Sequence, residues 1–76
     1  TFEELTKFIY GDCHYCGEKP NPVNGIDRKD NDIGYIKENC LTSCKWCNRI
    51  KGVANYEEFL FRCHKISSFL KRINNN

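Results

Sequence analysis

No apolar run in this sequence approaches the roughly 20 residues that a membrane-spanning helix needs, which excludes such a helix and leads to the expectation of a soluble domain with no membrane partner. The opening residues also lack a basic-then-apolar signal segment. Six cysteines in so short a chain would otherwise suit a secreted disulfide scaffold, so the missing signal points to an intracellular, reducing compartment: cytoplasm, nucleus or organelle. Position 1 is Thr rather than Met, as expected of a processed or partial chain. The chain itself is scarce. Its 76 residues make one domain, and a domain of that size buries only about 60% of its unfolded surface. A staple beyond the apolar core is therefore expected.

The cysteines supply a candidate. Cys13-His14-Tyr15-Cys16-Gly17 and Cys44-Lys45-Trp46-Cys47-Asn48 bracket 27 intervening residues. Two C-x-x-C pairs can each present two sulfurs to a tetrahedral Zn²⁺ at about 2.3 Å, so Cys13, Cys16, Cys44 and Cys47 are read as one structural zinc site. Gly17 permits the positive backbone dihedral of a tight knuckle. The second pair has no following glycine and runs instead into a stretch able to start a helix, whose free N–H groups and dipole favour thiolate. A knuckle plus a helix-borne pair predicts a treble-clef-like module. The competing reading is two disulfides or unrelated thiols. Cys40 is read as packing under the site or exchanging with a ligand, and Cys63 as a buried thiol in an apolar stripe.

Charge is unevenly divided. Residues 1–40 hold five Lys/Arg against eight Asp/Glu, whereas residues 41–76 hold seven against two. The second half is thus the phosphate-facing candidate, with Lys45, Arg49, Lys51, Arg62 and Lys65 as its nucleic-acid contacts; a solvated helix face is the alternative.

Along the chain, Phe2, Leu5, Phe8 and Ile9 fall at helical spacing and predict a short helix over 2–10, ended by Gly11. Pro20 and Pro22 mark a loop. The stretch Ile26 to Thr42 predicts a hairpin with its returning strand over Tyr35 to Thr42. Asp30, Asn31 and Asp32 do not make a calcium loop, because the distant glutamate of that pattern is absent. Asn55 with Glu58 predicts a capping box opening a helix over 55–73, with Tyr56, Phe59, Leu60, Cys63, Ile66, Leu70 and Ile73 at spacings of three or four. His14 and His64 read as exposed, and Asn74-Asn75-Asn76 as a frayed tail.

The run C-x-x-C-G, then Gly25-Ile26-Asp27-Arg28-Lys29-Asp30-Asn31, Gly34-Tyr35, Asn39 and Cys44-x-x-Cys47-Asn48-x-x-Lys51-Gly52, resembles the HNH family of endonucleases, in particular its zinc-stapled phage and virus type. The resemblance covers residues 13–52. It implies a small α+β fold, the ββα-metal or His-Me finger, between flanking N- and C-terminal helices. It also implies a metal-dependent phosphodiesterase acting on nucleic acid, DNA rather than RNA, with one catalytic Mg²⁺ or Mn²⁺ against the scissile phosphate. Asp27 and Asn48 match the residues that bind that ion, and Asn39 matches the residue that braces the hairpin loop. Arg28 stands where the family places its general-base histidine.

Arginine stays charged near neutral pH and cannot take a proton from water. Losing a positioned base costs a factor of about 100 to 10,000 without abolishing metal-assisted hydrolysis. Asp30 or His14 is then the substitute base, or Arg28 clamps a phosphate. Two classes follow: an HNH-type endonuclease with an altered base, and an inactive HNH-like zinc module that binds nucleic acid or assembles into a larger ribonucleoprotein or viral complex.

Overall fold

A computed structural model describes residues 2–74, without the side chain of Phe2; Thr1, Asn75 and Asn76, and with them part of the predicted N-terminal stripe and tail, lie outside the described residues. The described residues are small α+β, with two antiparallel strands, three α-helices and a four-cysteine cluster. Helix α1 (Phe2–Thr6) continues into a 3₁₀ turn (Lys7–Tyr10) that ends at Gly11. Strand β1 (Gly25–Arg28) pairs with β2 (Cys40–Ser43) in the register Gly25↔Ser43, Ile26↔Thr42, Asp27↔Leu41 and Arg28↔Cys40. Helix α2 (Lys45–Lys51) follows β2 after one residue, and α3 (Tyr56–Asn74) closes the chain.

The returning strand is shorter than its sequence predicts. Of the predicted stretch 35–42 only the last three residues are strand, because Lys37–Asn39 form a 3₁₀ turn and the loop before it folds around the Asn39 side chain. That amide is buried, donating from Nδ2 to the carbonyls of Asp30, Ile33 and Gly34 at 3.0–3.1 Å and accepting the Asp30 N–H at 3.0 Å. One side chain thereby replaces the ladder bonds that a longer strand would have made.

The first turn of the molecule docks on the hairpin through polar bonds. Thr42 Oγ1 donates to the Phe8 carbonyl at 2.6 Å, and Asn24 reaches the Gly11 and Glu18 carbonyls. The cysteine knuckle joins the same edge, His14 N–H donating to the Thr42 carbonyl at 2.9 Å. Alternation along β1 turns Gly25 and Asp27 towards α2. The packing at Gly25 is close: a Cβ would sit 3.2 Å from both Asn48 Nδ2 and the Ser43 carbonyl and would push these neighbours back by a few tenths of an ångström.

Apolar burial is sparse. Among the described residues, Phe59 is the one large apolar side chain in the buried class, beside Cys13, Cys40 and Cys44, while Asp27, Asn39, Ser43 and Lys51 are buried polar groups. Helix α3 enters this core only by its first turn: the Tyr56 N–H bonds the Lys29 carbonyl, and Phe59 meets the Tyr15 ring edge-on at 5.0 Å. The remainder projects, which accounts for a molecule 50 Å in its longest dimension. Cys63, expected inside the stripe's core, is exposed for that reason.

Candidate functional site

Three features meet around α2. The first is the cysteine cluster. Gly17, at φ 79°, closes the knuckle with its N–H on the Cys13 carbonyl at 2.9 Å, and Cys44 caps α2, its sulfur accepting the Cys47 N–H at 3.4 Å. Sequence positions far apart are thereby converged: the sulfurs of Cys13, Cys16, Cys44 and Cys47 all lie within 4.8 Å of one another. Those of Cys16 and Cys44 are 3.7 Å apart. Four sulfurs at about 2.3 Å from a tetrahedral zinc lie roughly 3.8 Å apart, so the cluster fits a metal ion such as zinc, whereas a disulfide needs about 2.05 Å. All six cysteines are free thiols. Cys40 is buried in β2 outside the cluster, where burial raises its pKa.

The cluster's electrostatics suit a cation. Burial raises the Cys13 thiol, yet hydrogen bonds from the backbones of Cys44, Cys16 and Tyr15 outweigh it and bring the pKa down to about 6. Cys47 is pushed up, first by burial and then by its neighbouring sulfurs. Crowded sulfurs thus resist shedding every proton until a positive charge sits among them, which is how metal binding and proton release are linked.

The second feature surrounds Asp27, which is 7% exposed. Tyr15, inside the first C-x-x-C pair, donates its hydroxyl to Asp27 Oδ2 at 2.6 Å. Burial and this bond to a carboxylate raise the phenol's pKa. The Lys51 ammonium straddles the same carboxylate, 3.3 Å from each oxygen, and also donates to the Arg28 carbonyl at 3.1 Å. Its side chain is wholly buried. Lys51 is therefore corrected from a nucleic-acid contact to an internal counter-ion, because α2 turns it and Asn48, three residues apart, towards β1. A divalent Mg²⁺ or Mn²⁺ at Asp27 would have to compete with the buried Lys51 ammonium and the Tyr15 hydroxyl that already hold the carboxylate. Neither Tyr15 nor Lys51 was singled out as a partner of Asp27 from the sequence; the available signal was an aromatic between two ligands and a lysine one turn beyond Asn48.

Arg28, next along β1, turns to the other face. Its Nη1 reaches the Ile33 carbonyl at 3.4 Å, and its guanidinium carbon lies 5.0 Å from the Tyr35 ring centre. Of the two substitute bases, His14 is exposed and bonds the Tyr56 hydroxyl at 2.9 Å through Nε2. Asp30 instead receives the Asp32 N–H within its own turn. Asn48 lines an open cleft with Trp46, Lys45, Asn21, Val23 and Glu18.

The third feature is the outer face of α2. Trp46 is 58% exposed, with the Lys45 ammonium 5.4 Å and the Arg49 guanidinium 5.7 Å from its ring centre. Arg62 and Lys65 are exposed too, but they lie on α3. Among the described residues no helix is long and apolar enough to cross a membrane.

No protein-family model matches this chain. No solved structure matches it either. A curated relative does: an uncharacterized protein of Acanthamoeba polyphaga mimivirus is 42% identical over 72 residues, which cover 93% of this chain. The chain spans only 14% of that relative's length.

Proposed function

We propose that the chain is a zinc-stapled, treble-clef-like ββα finger of HNH type whose role is to bind nucleic acid, DNA in preference to RNA, through the outer face of α2. The observation that carries this reading is Trp46, an exposed aromatic flanked by the cations of Lys45 and Arg49 on the helix that the cysteines hold. Cations there can neutralise phosphates, and the indole offers a face on which an unpaired base can stack. Zinc supplies structure: it locks the knuckle to the start of α2 and so fixes the direction in which that face points.

Hydrolysis is the second reading, and Asn39 favours it, since its amide holds the hairpin loop in the manner the HNH resemblance implies. The Lys51 ammonium on Asp27 weighs against it, because an ion bound to that carboxylate would sit beside a buried positive charge that repels it. Phosphate binding is therefore the primary role, and hydrolysis at a second metal is not part of it.

Fluorescence anisotropy with labelled duplexes of several sequences, across a salt series, tests the binding. Affinity is expected to fall steeply with salt and to vary little with sequence. Lys45→Ala and Arg49→Ala should each cost about 1.5–3 kcal/mol if the lost contact is a charged hydrogen bond. A flat salt response, or variants that bind like the wild type, would overturn the assignment. Plasmid nicking in Mg²⁺ or Mn²⁺ separates the second reading, with no metal-dependent nicking expected of the wild type.

A further inference from the structure

The projecting part of α3 carries a surface that the nucleic-acid reading does not use. Ile66, Phe69, Leu70 and Ile73 are 52%, 59%, 52% and 50% exposed. At 100° per residue they form one stripe with Cys63, and that stripe is continuous with the buried Phe59. At its near end the stripe becomes a groove lined by Ile50, Ala54, Phe59, Arg62, Cys63 and Ile66. Its far end remains open, lined by Cys63, Ile66, Leu70 and Asn74. An apolar strip of this extent on a small module marks an interaction surface.

Charge selects the occupant. The first turn of α3 is acidic (Glu57, Glu58) and the last is basic (Lys71, Arg72). Among the described residues none of these four has an ion-pair partner within the chain. On the helical wheel Glu58 and Arg72 lie on one side of the stripe and Lys71 on the other, while Glu57 lies almost opposite it.

We propose that the stripe is a homodimer interface in which α3 of a second copy lies antiparallel across it, about a two-fold axis passing between His64 and Lys65. One register brings the acidic first turn of each copy beside the basic last turn of the other, with Glu58 nearest Arg72. The same register sets Cys63 against Ile66 of the second copy and brings Leu70 of the second copy to Phe59, in the groove beside Ile50. Such self-complementarity is what an isologous interface requires. A parallel pair would instead set like charges together at both ends. Lys65, near the axis and on the Glu58 side, meets its own counterpart in the antiparallel pair, and its long stem lets the ammonium swing clear. Lys45, Trp46 and Arg49 do not line this groove, so a dimer would carry two nucleic-acid faces.

Sedimentation equilibrium of the zinc-loaded 76-residue chain under reducing conditions, over a concentration series, tests the proposal. Reversible dimerisation is expected, weakened at least about tenfold by Leu70→Ala, a cost in the range of emptying a packed apolar site. Glu57→Lys with Glu58→Lys should weaken self-association, as should Lys71→Glu with Arg72→Glu. An equimolar mixture of these two variants should recover a dimer as tight as the wild type or tighter. Bound zinc, measured alongside, identifies any variant that has failed to fold. A chain that is monomeric throughout the series overturns the proposal, as does a dimer indifferent to Leu70→Ala. A dimer whose charge-reversed variants do not pair with each other overturns the antiparallel arrangement.

Discussion

Residues 13–52 and the outer two-thirds of α3 solve opposite problems. The first region has almost no apolar core and is held by directed bonds: four convergent sulfurs, an Asn39 amide with four hydrogen bonds, and a buried Asp27–Lys51 pair. The second has ample apolar surface and little to bury it against. Directed bonds fix geometry at short range, so the first region can present a defined face from few residues. Apolar surface gains its free energy only when covered, and among the described residues the second region has little cover.

The largest difference between the regions should appear on chelation. Binding to the folded state alone gives structural zinc a contribution on the order of 10 kcal/mol in small zinc peptides. Circular dichroism through a chelator titration is expected to show the native spectrum lost as zinc leaves, and Cys44→Ser should behave like the chelated protein. Cys63→Ser should keep its zinc, since that thiol is exposed on α3.

Next in size is the buried pair. Lys51→Met leaves the Asp27 carboxylate uncompensated and should cost about 3–5 kcal/mol in urea unfolding, whereas Asp27→Asn combined with Lys51→Met should recover most of the loss. The double-mutant cycle also bears on hydrolysis. If Lys51→Met gained Mg²⁺-dependent nicking, the pair would be masking a metal site rather than serving as a structural tie.

Asn39→Ala should cost less, about 1–3 kcal/mol, because the freed carbonyls lie in a loop that water can partly reach. The smallest effect belongs to α3. At dilutions where the chain is monomeric, Leu70→Ala should change stability by less than about 0.5 kcal/mol, as for other exposed positions. A larger change would mean that the stripe is already covered within one chain.

The four-cysteine cluster was legible because C-x-x-C spacing is local and each pair can supply two vertices of a tetrahedron before the chain folds. Helix α3 was legible from its period, and its start at Tyr56 follows an Asn55 whose side-chain oxygen accepts the Asn31 N–H at 3.4 Å, a bond between distant segments. Periodicity identifies a face without identifying what covers it, which is why Cys63 was expected inside and lies outside. The returning strand was over-extended for a related reason: Ile33, Tyr35 and Ile36 have strand-forming side chains, but Asn39 takes the carbonyls before them and leaves these residues exposed. A lysine within a basic stretch gives no sign of pointing inward. Lys51 does so because α2 is only seven residues long and presents one narrow face to β1.

One measurement tests most directly the claim that the cysteine cluster organises the face that meets nucleic acid. The zinc-loaded chain is bound to a labelled duplex at low salt, a chelator is titrated in, and anisotropy is followed together with the zinc released. The account predicts that duplex release tracks zinc loss and that re-adding zinc restores binding. A metal-free chain that holds the duplex as tightly as the loaded one, with the same salt dependence, would contradict it.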